Sequence, residues 1–174
     1  TCMLILMAGH GSTIDVLGSG MHTLLDHPHA MRALRENPGR LPVAIQEMFR
    51  YEPPLPFFHR HATEDIEIQD RVWPAGTTFG LLYGAANRDP RQFENPDAVD
   101  LHREKAGMQL AFGSGIHHCI GAPLARQELN LGFPALLERM ENIRLSPEHP
   151  EPKAEPSFIL RNLPHLYVTF DRRR

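Results

Sequence analysis

Cysteine is close to absent from this sequence. Cys2 and Cys119 are the only two among 174 residues and lie far apart, which excludes a disulfide framework. So few thiols suit a reducing compartment, and a cytoplasmic protein is expected. A charge imbalance is missing as well: 18 Lys and Arg face 21 Asp and Glu, a net −3. That balance argues against a broad nucleic-acid-binding face. Nor is there a long hydrophobic run. TCMLILMAG, at the start, is too short to span a bilayer and lacks the basic segment of a secretory leader, so no membrane span is expected. It reads as part of a buried helix that begins upstream. Internal repeats and low-complexity tracts are absent.

What the chain does have is 41% apolar against 22% charged residues, enough for a packed core in one domain. Residues 2–26 read as a helix interrupted by Gly9, Gly11, Gly18 and Gly20 and stopped at His27-Pro28. Two short helices follow over 29–39 and 43–52, each closed by prolines. Residues 62–82 alternate apolar and polar around turns at Gln69-Asp70 and Pro74-Ala75-Gly76, which predicts short antiparallel strands. The span 87–109 lacks periodicity and reads as a long ordered coil, usually a functional feature. Residues 121–140 are helical again, with an apolar stripe at Leu124, Leu129, Leu131 and Leu136 and a possible kink at Pro134. The tail, 143–170, has two or three strand-like pieces. The fold class is mainly α with small antiparallel sheets (α+β), not a doubly wound βαβ protein.

The chemistry concentrates in FGSGIHHCIG, residues 112–121. A thiolate binds metal and a thiol barely does. Cys119 stands just before a helix, where unpaired N–H groups and the positive dipole end favour a negative sulfur. Gly113, Gly115 and Gly121 allow unusual backbone and leave room for something flat and large, and Phe112 can shield the sulfur from water. With no second cysteine nearby, a tetrahedral zinc or iron–sulfur site is not supported. An inert buried thiol in a turn is the bland alternative.

The pattern Phe-Gly-x-Gly-x-His-x-Cys-x-Gly, formed by Phe112, Gly113, Gly115, His117, Cys119 and Gly121, resembles the haem-binding loop of the cytochrome P-450 family, the haem-thiolate monooxygenases. The resemblance implies haem b, with Cys119 as axial iron ligand and His117 as a donor to a propionate. Glu47 and Arg50 share a helix face and resemble the family's Glu-x-x-Arg pair, which would tie that helix to the coil, with Arg103 as candidate partner. Arg60, ahead of Ala-Thr-Glu-Asp, resembles the family's propionate arginine. Asn87, Arg88 and Asp89 resemble the start of its coil and read as coil-fixing. PSFILRNLPHLYVTF resembles its closing hairpin. Ala8, Phe57, Phe58, Phe158 and Ile159 are candidate substrate walls, core packing being the alternative at 158 and 159. Arg126, on the helix after the loop, is a candidate contact for an acidic partner or else a solvated residue.

The resemblance implies insertion of one oxygen atom of dioxygen into a small organic substrate. No flavin or nicotinamide motif is present, so the electrons would come from a ferredoxin- or flavodoxin-type partner. One departure is chemical. The family's distal helix reads A/G-G-x-D/E-T-T/S; here AGHGST puts Gly11 at the acid and Ser12 and Thr13 at the alcohols, with Thr13 able to help only after a register shift. Either substrate, water or His10 replaces the acid, or the reaction does without that proton relay, as in peroxide-driven or nitric oxide-reducing chemistry. The other departure is length. The likeness covers nearly all of residues 1–174, a single partial domain, yet family members are more than twice as long. The expectation is the C-terminal half of the fold, with an apolar face left uncovered; a non-catalytic, degenerate haem-binding interaction protein is the alternative.

Overall fold

The computed structural model describes residues 1–157 and 159–173. Prolines set its helical punctuation. Helix α1 (Cys2–Asp26) ends where His27 leaves helical geometry ahead of Pro28, because a proline disfavours the α region for the residue before it. Pro28 opens α2 (Pro28–Glu36), and Pro42 lies in the first turn of α3 (Leu41–Tyr51), where the missing N–H has no intrahelical partner to lose. After α4, a single turn (Tyr83–Ala86), the last helix is α5 (Ala122–Arg139), with Pro134 inside it.

Helices α1, α2, α3 and α5 share one core. Val16 and Leu24, Leu34, Ile45, Met48 and Phe49, and Leu129 and Phe133 are each at most 3% exposed. The closest approach is at Gly20 of α1, where a Cβ would stand 2.9 Å from Met48 Sδ and 3.0 Å from Phe133 Cζ. The glycines of α1 therefore do not interrupt it, and one of them lets three helices meet.

Two expectations need correction here. The opening run is not buried: Met3, Leu4, Ile5, Leu6 and Met7 are 61–75% exposed. Helix α1 as a whole is also long and apolar enough to cross a membrane by length and composition, which the nine-residue run alone did not suggest. Its C-terminal half, however, is packed core and carries the buried Asp15 and Thr23. On α5 the expected stripe is half right. Leu129 is buried and Leu136 packs on the core, but Leu124 and Leu131 are 62% and 64% exposed. The buried face runs through Ala122, Leu129 and Phe133, spacings of seven and four that keep one helical face.

Among the described residues, three two-stranded antiparallel sheets complete the fold. β1 (Phe58–His61) pairs with β4 (Thr78–Leu81) and encloses the hairpin of β2 (Ile66–Ile68) and β3 (Arg71–Trp73). Gln69 and Asp70 turn that hairpin with φ of 51° and 59°, the left-handed pair that a tight two-residue turn requires. The strands begin at Phe58, before the expected 62. β5 (Met140–Leu145) pairs with β6 (Val168–Arg172). Between them Glu155 N–H donates to Asn162 O and Arg161 N–H to Pro54 O, and no strand is described there. Phe158 lies outside the described residues.

Candidate functional site

Glu47 and Arg50 are fully buried on α3, in a cluster that the coil completes. Arg50 donates from Nε to Glu47 Oε2 at 2.7 Å and from Nη2 to Oε1 at 2.9 Å. Arg103, from the coil, donates from Nε to the same two oxygens at 3.1 and 2.9 Å, and Asp100 N–H adds a bond at 3.0 Å. One carboxylate thus serves two guanidiniums. The excess positive charge is met by backbone carbonyls: Arg50 reaches those of Asn87, Pro96 and Ala98, and Arg103 those of Glu94, Asn95 and Ala98. A buried charge is tolerated only when paired and hydrogen-bonded in this way.

The cluster pins the coil, and amides carry the constraint onward. Asn87, fully buried, accepts Leu110 N–H on Oδ1 at 2.7 Å. Gln109 accepts Ala111 N–H at 2.6 Å and donates to Gln46 Oε1 at 3.1 Å. Arg88 donates to Asp97 Oδ1 and Tyr51 O and lies 4.1 Å over the Tyr51 ring. Asp89 accepts from the Arg91 side chain and N–H, which holds its carboxyl down at about 2. The segment before Phe112 is therefore fixed by side-chain–backbone bonds, although it has almost no regular structure.

Above it lies a cavity of about 500 Å³. Ala8, Gly9, Ser12, Thr13 and Val16 of α1 form one wall. Phe112, Gly113, His117, Cys119 and Gly121 form the facing wall, and strand β1 with Arg60 closes an edge. Gly113 and Gly115 have φ of 68° and 67°, a region costly for any side chain. Gly121 does not share that need: its φ is −83°, and a Cβ there would meet Cys119 Sγ at 3.8 Å, an ordinary contact. Cys119 N–H donates to Phe112 O at 2.9 Å, and the thiol is exposed. Phe112 is held between the Phe49 ring, 4.5 Å away, and the Arg126 guanidinium at 4.5 Å on its face, so Arg126 is more than a solvated side chain.

Not every expected residue reaches the cavity. Ala8, Ser12, Thr13, Arg60, Phe58 and Cys119 line it, and Thr13 does so with no register shift. Phe57 does not; it turns under β4, where a Cβ on Gly80 would come within 2.8 Å of its Cε2. Ile159 is 59% exposed and does not line the cavity. His10 is exposed on the far side of α1 and also fails to line it. Tyr83, Leu124 and Glu128 line it unexpectedly; Leu124 was expected in the packed stripe of α5, so no sequence signal pointed to it. Ser12 Oγ donates to Ala8 O and Thr13 Oγ1 to Gly9 O, so both hydroxyl protons are held by their own helix. Arg60 donates to His59 O and stacks on Phe58; among the described residues it has no carboxylate partner.

A family model described as cytochrome P-450 matches residues 1–170. The chain is 40% identical over 171 residues to a biotin biosynthesis cytochrome P-450 of Bacillus subtilis, covering 98% of this chain and 42% of that one. It is 39% identical over 172 residues to the cytochrome P-450 monooxygenase PikC of Streptomyces venezuelae, covering 98% and 41%. Among solved structures it superposes with a TM-score of 0.93, at 40% identity, on P450BioI in complex with an acyl carrier protein ligated to hexadec-9Z-enoic acid, covering 98% of this chain and 44% of that one. The chain thus spans about two fifths of the length of the relatives it matches.

Proposed function

Because this chain belongs to the cytochrome P-450 family, we propose that it supplies the C-terminal, haem-holding part of a monooxygenase, with Cys119 as axial ligand to haem b. The observation that supports this most is that one cavity joins an exposed thiol, a glycine loop and Arg60 and His117, which have no carboxylate partner among the described residues. Its volume is within the range of cofactor sites. Haem bound there supplies the redox chemistry that inserts one atom of dioxygen into a small organic substrate.

The chain's own side chains have separable tasks. The Cys119 N–H bond to Phe112 O anchors the loop that carries the sulfur. Arg60 and His117 border the same cavity and suit carboxylates, Arg60 through its fork of donors. Ala8 and Phe58 would face the substrate. Ser12 and Thr13 would offer oxygen lone pairs, their own protons being committed to the helix. Electrons would arrive from a ferredoxin- or flavodoxin-type protein, with Arg126 beside the loop as a contact, in the cytoplasm.

One observation favours a second reading. Gly11 offers no acid, and both neighbouring hydroxyls are already bonded, so chemistry without the usual proton relay, driven by peroxide or acting on nitric oxide, fits as well. Nothing lies within 4 Å of a Cβ at Gly11, so Gly11→Asp is sterically tolerated and tests the relay. Better coupling of reductant to product supports the dioxygen reading, and a fall in product from a folded variant counts against it. The family reading itself is tested by Cys119→Ser in the haem-loaded protein. The thiolate-type Soret spectrum should be lost while the fold stays intact; an unaltered spectrum refutes the assignment.

A further inference from the structure

Strand β1 reads Phe-His-Arg-His, and alternation puts His59 and His61 on one face of the strand, both bordering the cavity with Phe58 and Arg60. The two imidazole centroids are 5.3 Å apart at 71°. His61 Nδ1 is 2.9 Å from Thr78 Oγ1, its direct cross-strand partner in the β1–β4 register. The partner of His59 across the sheet is Gly80, so no opposing side chain crowds that ring. Both histidines are exposed.

We propose that His59 and His61 form a chelating site for a divalent cation of the zinc and copper class at the β1 edge of the cavity that also holds the cysteine loop. Two imidazoles bound to one tetrahedral ion, with metal–nitrogen bonds of about 2.0–2.1 Å, hold their ring centroids about 5 Å apart. The observed separation is already that value. The Thr78 hydroxyl occupies Nδ1 of His61 and leaves Nε2 for the metal, the outer-shell arrangement that orients ligating histidines. The third and fourth positions go to water, because no group of three or more ligating side chains occurs among the described residues. Imidazole donors with open water positions select zinc, copper or nickel over magnesium or calcium. The ion would bind folded strands better than an unfolded chain and so reinforce the sheet that carries Arg60.

Titration of the haem-loaded full-length protein with Zn²⁺ alone tests this. One equivalent should bind, and His59→Gln or His61→Gln should each weaken it at least about tenfold. Thr78→Val keeps both ligands and should weaken it by about tenfold. Zinc should raise the melting temperature of the parent and not of the His59→Gln variant, with circular dichroism confirming that each variant is folded. Zinc binding that is unchanged in both histidine variants, or absent from the parent, overturns the proposal. Loss in the histidine variants with Thr78→Val unaffected overturns the orienting role of the hydroxyl.

Discussion

The Glu47 cluster and the wall around Cys119 both present arginine, yet they are opposite in construction. In the cluster, two buried guanidiniums meet one carboxylate and a ring of carbonyls, and Arg50 is wholly enclosed. At the cavity, Arg60 and His117 stand partly or fully exposed beside an exposed thiol, with no ion pair among the described residues. The first region is completed by the chain itself. Under the proposed reading, the second would be completed by a bound group that brings carboxylates. Arginine thus serves stability in one place and is left open to a ligand in the other, and exposure and partners tell the two apart where composition does not.

The largest effect should come from breaking the cluster. Glu47→Gln removes the one negative charge between two buried guanidiniums, a loss of about 3–5 kcal/mol by the usual cost of breaking a buried pair. Urea unfolding of the haem-free protein measures it, and haem uptake should fall because the coil that carries Phe112 loosens. A variant that unfolds at the parent's urea midpoint would show that the carbonyls alone hold the arginines.

At the cavity the consequence should be the reverse. Arg60→Ala deletes a side chain whose bond within the chain is to the neighbouring His59 O, so stability should shift by no more than about 0.5 kcal/mol. Loss of a charge-assisted bond to a haem carboxylate should instead speed haem release about tenfold. Transfer of haem to an apo-globin acceptor reads that rate. A destabilised protein with unchanged haem release would erase the distinction between the two regions.

Sequence made one side of this contrast more legible than the other. The helices were readable because Pro28, Pro38, Pro53 and Pro54 mark their limits, and Glu47 and Arg50 because their spacing is helical. Arg103 could be named as a partner only through the resemblance to the family's Glu-x-x-Arg pair, which ties its helix to the coil. The cysteine loop was readable from its glycines, although Gly121 turned out to need no special backbone. What could not be read were positions whose role depends on a partner distant in sequence. The Gln109–Gln46 bond, the turn of Phe57 under Gly80, and the exposure of Leu124 and Leu131 follow from packing geometry and not from local pattern. Strand β1 escaped because FFHRH has no clean apolar alternation to mark it.

The smallest effect concerns two carboxyls that extend the contrast to pH. Asp15 is 6% exposed in the packed half of α1, and burial raises its carboxyl above the ordinary 3.8. Its protonated form is favoured by folding, so the stability it contributes is full below the ordinary value and is lost as pH rises through the raised one. Asp89, on the exposed coil, is the reverse. Arg91 lowers it to about 2, so its contribution is present above the ordinary value and lost as pH falls towards 2. Asp15→Asn should therefore raise stability at neutral pH and flatten its decline above pH 4, leaving the acid limb unchanged. Asp89→Asn should flatten only the acid limb. Melting temperatures from pH 2 to 8 separate them, and an Asp15→Asn profile parallel to the parent's would mean that the carboxyl is solvated in the folded protein.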